Sequence, residues 1–236
     1  MVLSGLGGDE LLGGYDTFSK VPRFAQLGRW ARLGGPATLL ARRLLERWGG
    51  RFLSRNPKLA GLLHQDGSLG CAYLLRRSLL LPWEAEQMVD ARFFQDGLAQ
   101  LNLEERVRQL AQPAPASVFH HVALLESSLY MRNQLLRDSD WASMAHSLEL
   151  RVPLVDWTLL RALAPLQPAM AGGRGKAALA MAPTRPLPDA VRQRARSGFT
   201  VPVGLWSGMA GPATSRLSSR VWMKRVADHF DLPRLH

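Results

Sequence analysis

The chain has 236 residues, 47% of them hydrophobic, and 30 Lys and Arg against 19 Asp and Glu, a formal net charge of +11. That length and apolar fraction support a stable core and exclude a disordered chain. The single cysteine, Cys71, excludes an internal disulfide, and there is no Cys/His cluster of zinc-site spacing. No apolar run approaches the roughly 18 residues of a membrane helix, and the N-terminus lacks the layout of a signal peptide. The expectation is a soluble cytoplasmic protein, and the basic balance points to an anionic partner, a nucleotide or a nucleic acid.

In chain order, Met1 to Leu3 is the one strand candidate, too short to form a sheet by itself. SGLGGDELLGGYD, Ser4 to Asp16, follows at once with five glycines and three acids in thirteen positions. Glycines this dense call for positive φ or a very close neighbour. Asp9 and Glu10 place carboxylates beside donor-rich backbone, which suits a metal-bound phosphate. A glycine-rich turn at a frayed end is the plainer reading.

Helical patterns then succeed one another. PATLLARRLLERW, Pro36 to Trp48, is amphipathic and strongly basic. Pro57 after Asn56, and Pro82 before WEAEQM, mark helix starts, while Pro113 and Pro115 separate LEERVRQLAQ from the long run SVFHHVALLESSLYMRNQLL. Pro165 to Pro188 is expected to form loops around one short helix. No repeat, low-complexity tract or interdomain linker is evident.

Two further stretches carry charge in patterns that suggest chemistry. In LLRDSDWASMAHSLELRVPLVD, Asp138, Asp140, Glu149 and Arg151 lie close together before Pro153, which is expected to end or bend a helix. Such density suggests buried ion pairs that support a site, with Arg151 bridging carboxylates; a solvated charged turn is the alternative. Lys176 in GRGKAALAM and Arg196 in ARSGFTVP follow Gly175 and precede Gly198, so backbone and cation could approach one ligand together.

Taken in order, SGLGGDELLGGYD, LLRDSDWASMAHSLELRVPLVD, GKAAL and RARSGFTVPVGLW resemble the synthetase domain of the glutamine-hydrolysing asparagine synthetase family, from Met1 to about Trp206. The resemblance implies the mainly α, C-terminal portion of an α/β adenine-nucleotide α-hydrolase-like domain, retaining at most its last strand, with a helical tail over 207–236. It implies ATP and Mg²⁺ as cofactors, and aspartate or a related carboxylate and ammonia as substrates. By the same resemblance Ser4, Gly5, Leu6, Gly7 and Gly8 border the nucleotide and Asp9 is a magnesium ligand. Lys176 and Arg196 are catalytic cations, and Glu10, Asp138, Asp140, Glu149 and Arg151 support the site.

The sequence also departs from the family pattern. Arg196 stands where a lysine is usual, Leu6 where several asparagine-forming members have an acid, Ala180 and Trp141 where arginines are common. The family's glutaminase cysteine and SGGxDS pyrophosphate loop have no counterpart in these residues, so the expectation is a truncated piece of a larger enzyme, inactive alone, with an upstream-encoded N-terminal half as the candidate partner. A basic helical module for nucleic acid is the alternative function. The GGDEF motif of diguanylate cyclases, one letter from GGDEL, needs flanking strands where this sequence has helix.

Overall fold

The computed structural model describes residues 1–33, 58, 61–62, 66–86, 89–185, 187–194, 222–223 and 225–230. The basic helix expected over Pro36 to Trp48 and the helix start at Pro57 lie outside them, as does Arg196. The chain divides into two compact units, Met1–Arg76 with Leu103–Arg192, and Arg77–Asn102 with Gln193–His236.

The first unit opens with β1 (Val2–Leu3), α1 (Gly8–Leu12), α2 (Thr17–Leu33) and α3 (Leu69–Arg77). The second unit's best-described part is α4 (Pro82–Ala85) and α5 (Ala91–Leu101). Pro82 occupies the first turn of α4, where its missing N–H costs nothing. Asp90 caps α5 by accepting from the Phe93 N–H at 3.0 Å. In the expected tail, the described residues 222–223 and 225–229 are helical.

Back in the first unit, α6 (Leu103–Leu110) is followed by the proline-rich break and then α7 (Val118–Leu125), capped by the Ser117 hydroxyl. The helix continues through π-helical geometry over Glu126–Leu136 into α8 (Arg137–Met144), so the long run read from the sequence is one continuous helical rod. β2 (Leu150–Arg151) and α9 (Trp157–Leu163) come next, then a 3₁₀ segment Ala164–Met170, α10 (Arg174–Met181) and α11 (Asp189–Arg192).

The core lies where α2, α3, α6 and α7 meet, at Val21, Ala25, Ala72, Tyr73, Val107, Val122 and Leu125. Small residues on α2 allow α7 to come close, and Phe18 stacks on Phe119 at 4.6 Å between ring centroids. Glu126, wholly buried in this core, accepts from the Thr17 hydroxyl and, at 3.2 Å, from the Tyr73 hydroxyl. A buried carboxylate is tolerated only with such donors.

Two expectations need correction. β1 has a partner, since Val2 and Leu3 pair in parallel with Leu150 and Arg151. Pro153 follows that second strand and ends no helix; α8 stops at Met144, and Ser147 takes a positive φ of 55° to turn the chain toward β2. Two residues of strand leave no alternating pattern for a sequence reading to find.

Candidate functional site

α1 is held by its two ends. Gly7 caps it with φ 86°, and a Cβ there would stand 2.6 Å from the Val155 side chain, so both backbone and space require glycine. Before it, the Ser4 hydroxyl accepts from the Leu6 N–H at 3.3 Å, and the Gly8 N–H donates to the Gly5 carbonyl at 3.2 Å. Ser4 to Gly8 thus form a tight turn that leads from β1 straight into the helix. Ser4 and Leu6 are half-buried, Gly5 is exposed, and Gly7 and Gly8 are buried.

α10 meets α1 side by side. A Cβ on Gly175 would lie 2.6 Å from the Leu12 carbonyl and 2.9 Å from its Cβ, so the absent side chain sets how near the helices come. The next residue, Lys176, then forms an ion pair with Asp9 Oδ1, both side chains about one-third exposed. Two residues far apart in sequence are thereby brought into contact.

Glu10 turns inward. It is 3% exposed, and its Oε1 accepts from the Tyr15 hydroxyl at 3.0 Å. Burial pushes its carboxyl above the usual range, against its own backbone N–H and the Tyr15 bond, and the charges of Asp9 and Glu126 add to the rise. Tyr15 is raised too, by burial first and then by Glu10 and Asp9.

The second charged stretch is placed differently from its expectation. Asp138, Asp140, Glu149 and Arg151 are all exposed, with the Glu149 and Arg151 side chains each 61% exposed. Arg151 does bond a carboxylate, donating from Nε and an Nη to Glu149 Oε1 at 3.0 and 2.7 Å. The bond is local and faces solvent, so the buried-ion-pair reading is wrong and the solvated one holds. The aromatic at the departure position, Trp141, is also exposed and lies 5.0 Å under the Arg137 guanidinium.

Sequence reasoning missed Glu126, Thr17, Tyr73 and Gln167. The Gln167 amide, buried, donates to the Leu11 carbonyl at 3.0 Å and ties the 3₁₀ segment to α1. A signal existed for Glu126, which falls four residues after Val122 and seven after Phe119, on the apolar stripe of its helix. It also missed Asp16, which receives Lys20 at 2.6 Å and both oxygens' worth of Arg76 at 2.7 and 2.9 Å. Burial alone would raise the Asp16 carboxyl, but these bonds and charges outweigh it and hold it below the usual range.

The described geometry of this corner is a tight glycine turn entering a short helix, with Asp9 and Lys176 paired beside it. A family model described as asparagine synthase matches residues 1–232. The chain belongs to the asparagine synthase family, whose members are ATP-using, amide-forming synthetases. No curated protein and no solved structure matches it.

The magnesium that the resemblance implies finds limited fit here. Among the described residues no group of three or more His, Cys, Asp or Glu could hold a metal ion. Asp9 alone offers a carboxylate at the turn, which fits an ion carried mainly by nucleotide phosphates and water. No helix among the described residues is long and apolar enough to cross a membrane.

Proposed function

We propose that the chain supplies the acid–lysine corner of a synthetase that activates a carboxylate, aspartate or a related acid, as an acyl-adenylate. The substrate carboxylate oxygen attacks the α-phosphorus of ATP, the bond to the β-phosphate oxygen breaks, and pyrophosphate leaves with the electron pair. Ammonia then attacks the acyl carbon and AMP departs, so the carboxylate ends as an amide. The observation that supports this reading is the Asp9–Lys176 pair at the end of the Ser4–Gly8 turn.

Each residue has a separate task. Ser4, Gly5, Leu6, Gly7 and Gly8 border the nucleotide. Lys176 neutralises charge as pyrophosphate forms, with Arg196 as a second cation; a preorganised cation acts there at no cost of reorganisation. Asp9 would hold the Mg²⁺ brought by the nucleotide, which supplies charge neutralisation on the phosphates. Glu10 holds α1 in place through Tyr15.

The wider architecture we assign is the helical portion of an adenine-nucleotide α-hydrolase-like domain. Parallel strands are ordinarily covered on both faces, yet Val2 and Leu3 are exposed and Arg151 with them. That supports a complementing polypeptide, an upstream-encoded half with the SGGxDS loop, laid against β1 and β2. The test is pyrophosphate release with ATP, magnesium and a panel of carboxylates, measured for this chain alone and with such a half added. Release is expected only from the pair, and Asp9→Asn and Lys176→Ala should each remove it. Full release by the pair carrying both substitutions would refute the assignment.

A further inference from the structure

A face of α1 other than the one Asp9 presents to Lys176 borders an open cavity of about 310 Å³. Its walls are largely apolar, with Leu11 from α1, Met131 from the π-helical segment and Leu160 from α9. Set among them are two acids, Glu10 and Asp156, and the Ser127 hydroxyl; no Lys, Arg or His is among the described residues that line it. Glu10 Oε2 is buried and has no hydrogen-bond partner among the described residues, while Oε1 is taken by Tyr15. Asp156 is exposed and uses Oδ1 to cap α9, accepting from the Leu159 N–H at 2.7 Å.

A carboxylate oxygen left without a donor in an apolar setting is costly, and a ligand that brings N–H groups to it would remove the cost. Two acids without a base select a cation, and apolar walls select a hydrocarbon body beside it. A bare metal ion is a poor match, because no three ligating side chains assemble among the described residues. The volume lies at the low end of the roughly 300–1,000 Å³ typical of ligand pockets, so the body is short.

We propose that this cavity is a binding site for a small organic ammonium with an apolar body, an alkyl- or aralkylamine, its N–H groups meeting Glu10 and Asp156. The cavity shares Gly7 with the turn before α1 but lies on another face of that helix from the Asp9–Lys176 pair, and the proposal does not depend on the amide-forming reading. Tyr15 holds Glu10 in place from behind, and the occupant's hydrocarbon lies along Leu11, Met131 and Leu160.

Isothermal titration of the full chain at neutral pH with hexylammonium, hexan-1-ol and hexanoate tests it. Hexylammonium should bind roughly tenfold or more tightly than either other probe, the step expected of a charge-assisted bond to a carboxylate. Asp156→Asn keeps the oxygen that caps α9 and removes the charge, so it should weaken hexylammonium several-fold, leaving hexanol binding and the melting temperature as in the parent. Glu10→Gln should weaken hexylammonium further, and Leu160→Trp, which fills the rim, should reduce binding of all three probes. Should Glu10→Gln fail to fold, the exposed Asp156→Asn and Leu160→Trp variants decide. Equal binding of the three probes, no binding of hexylammonium at millimolar concentration, or indifference of its affinity to Asp156→Asn overturns the proposal.

Discussion

The corner where α10 meets α1 and the strand end at Glu149 and Arg151 each hold one acid and one base, yet they are built on opposite plans. At the corner, a glycine brings two helices together and the charged pair is carried in by packing that neither charge supplies. At the strand end, the pair is two residues apart and would form on any exposed strand. The contrast shows that an ion pair points to a site when the backbone was shaped to make it, and says little when the pair is merely adjacent.

The deepest break in the scaffold behind the corner should come from Glu126→Ala. It leaves the Thr17 and Tyr73 hydroxyls facing a buried hole, and a loss of about 3 kcal/mol or more is expected in urea unfolding. A loss under ~1 kcal/mol would show that these hydroxyls find other partners readily. Gly175→Val strikes the helix contact itself. Its Cβ would stand 2.6 Å from the Leu12 carbonyl and 2.9 Å from the Leu12 Cβ, well inside van der Waals contact, and about 1–3 kcal/mol of stability should be lost as α10 is pushed off. Retention of parental stability would mean that the helices adjust freely and that the glycine does not set the approach.

Titration sharpens the comparison from another side. Glu10 is raised by burial, so its contribution is fully present below its unfolded value and is lost as pH rises through the folded one; the parent should lose stability relative to Glu10→Gln across that rise. Asp16 is lowered by Lys20 and Arg76 despite burial, so its contribution is present above the unfolded value and fades as pH falls through the folded one. Being 45% exposed, it should show only a few tenths of a kcal/mol against Asp16→Asn. Denaturant midpoints of the three chains from pH 3 to 7 would reveal the two opposite slopes, and parallel curves would contradict the assigned environments.

The smallest effect belongs to the exposed strand end. Arg151→Ala should change stability by less than about 0.5 kcal/mol, since it removes one local surface pair. A loss of several kcal/mol in thermal or urea melts would place Arg151 back among buried supports.

What could be read in the sequence follows from what repeats or punctuates. The helices after Tyr15 and the breaks at Pro82 and Pro113 were legible because period and proline act locally. The need for close backbone at the glycines was legible for the same reason, and Gly7 and Gly175 meet it. The pairing of Val2 and Leu3 with Leu150 and Arg151 was not, because a two-residue strand carries no period and its partner is far along the chain. Exposure of Asp138, Asp140, Glu149 and Arg151 was misjudged because density of charge along a chain does not say which way the backbone turns it. Glu126 was passed over although its apolar helical stripe marked it.

The parallel pair β1 and β2 has a consequence for how the protein must be handled. Met1, Val2 and Leu3 present apolar side chains on a strand edge, the kind of edge that recruits whatever extended segment meets it first. At high concentration that segment is a neighbouring molecule's own β1, and edge-to-edge association would grow into aggregates before any catalytic defect could be measured. Lysine substituted at Val2, whose side chain is already exposed, is therefore the natural gatekeeper for purifying the chain in dispersed form.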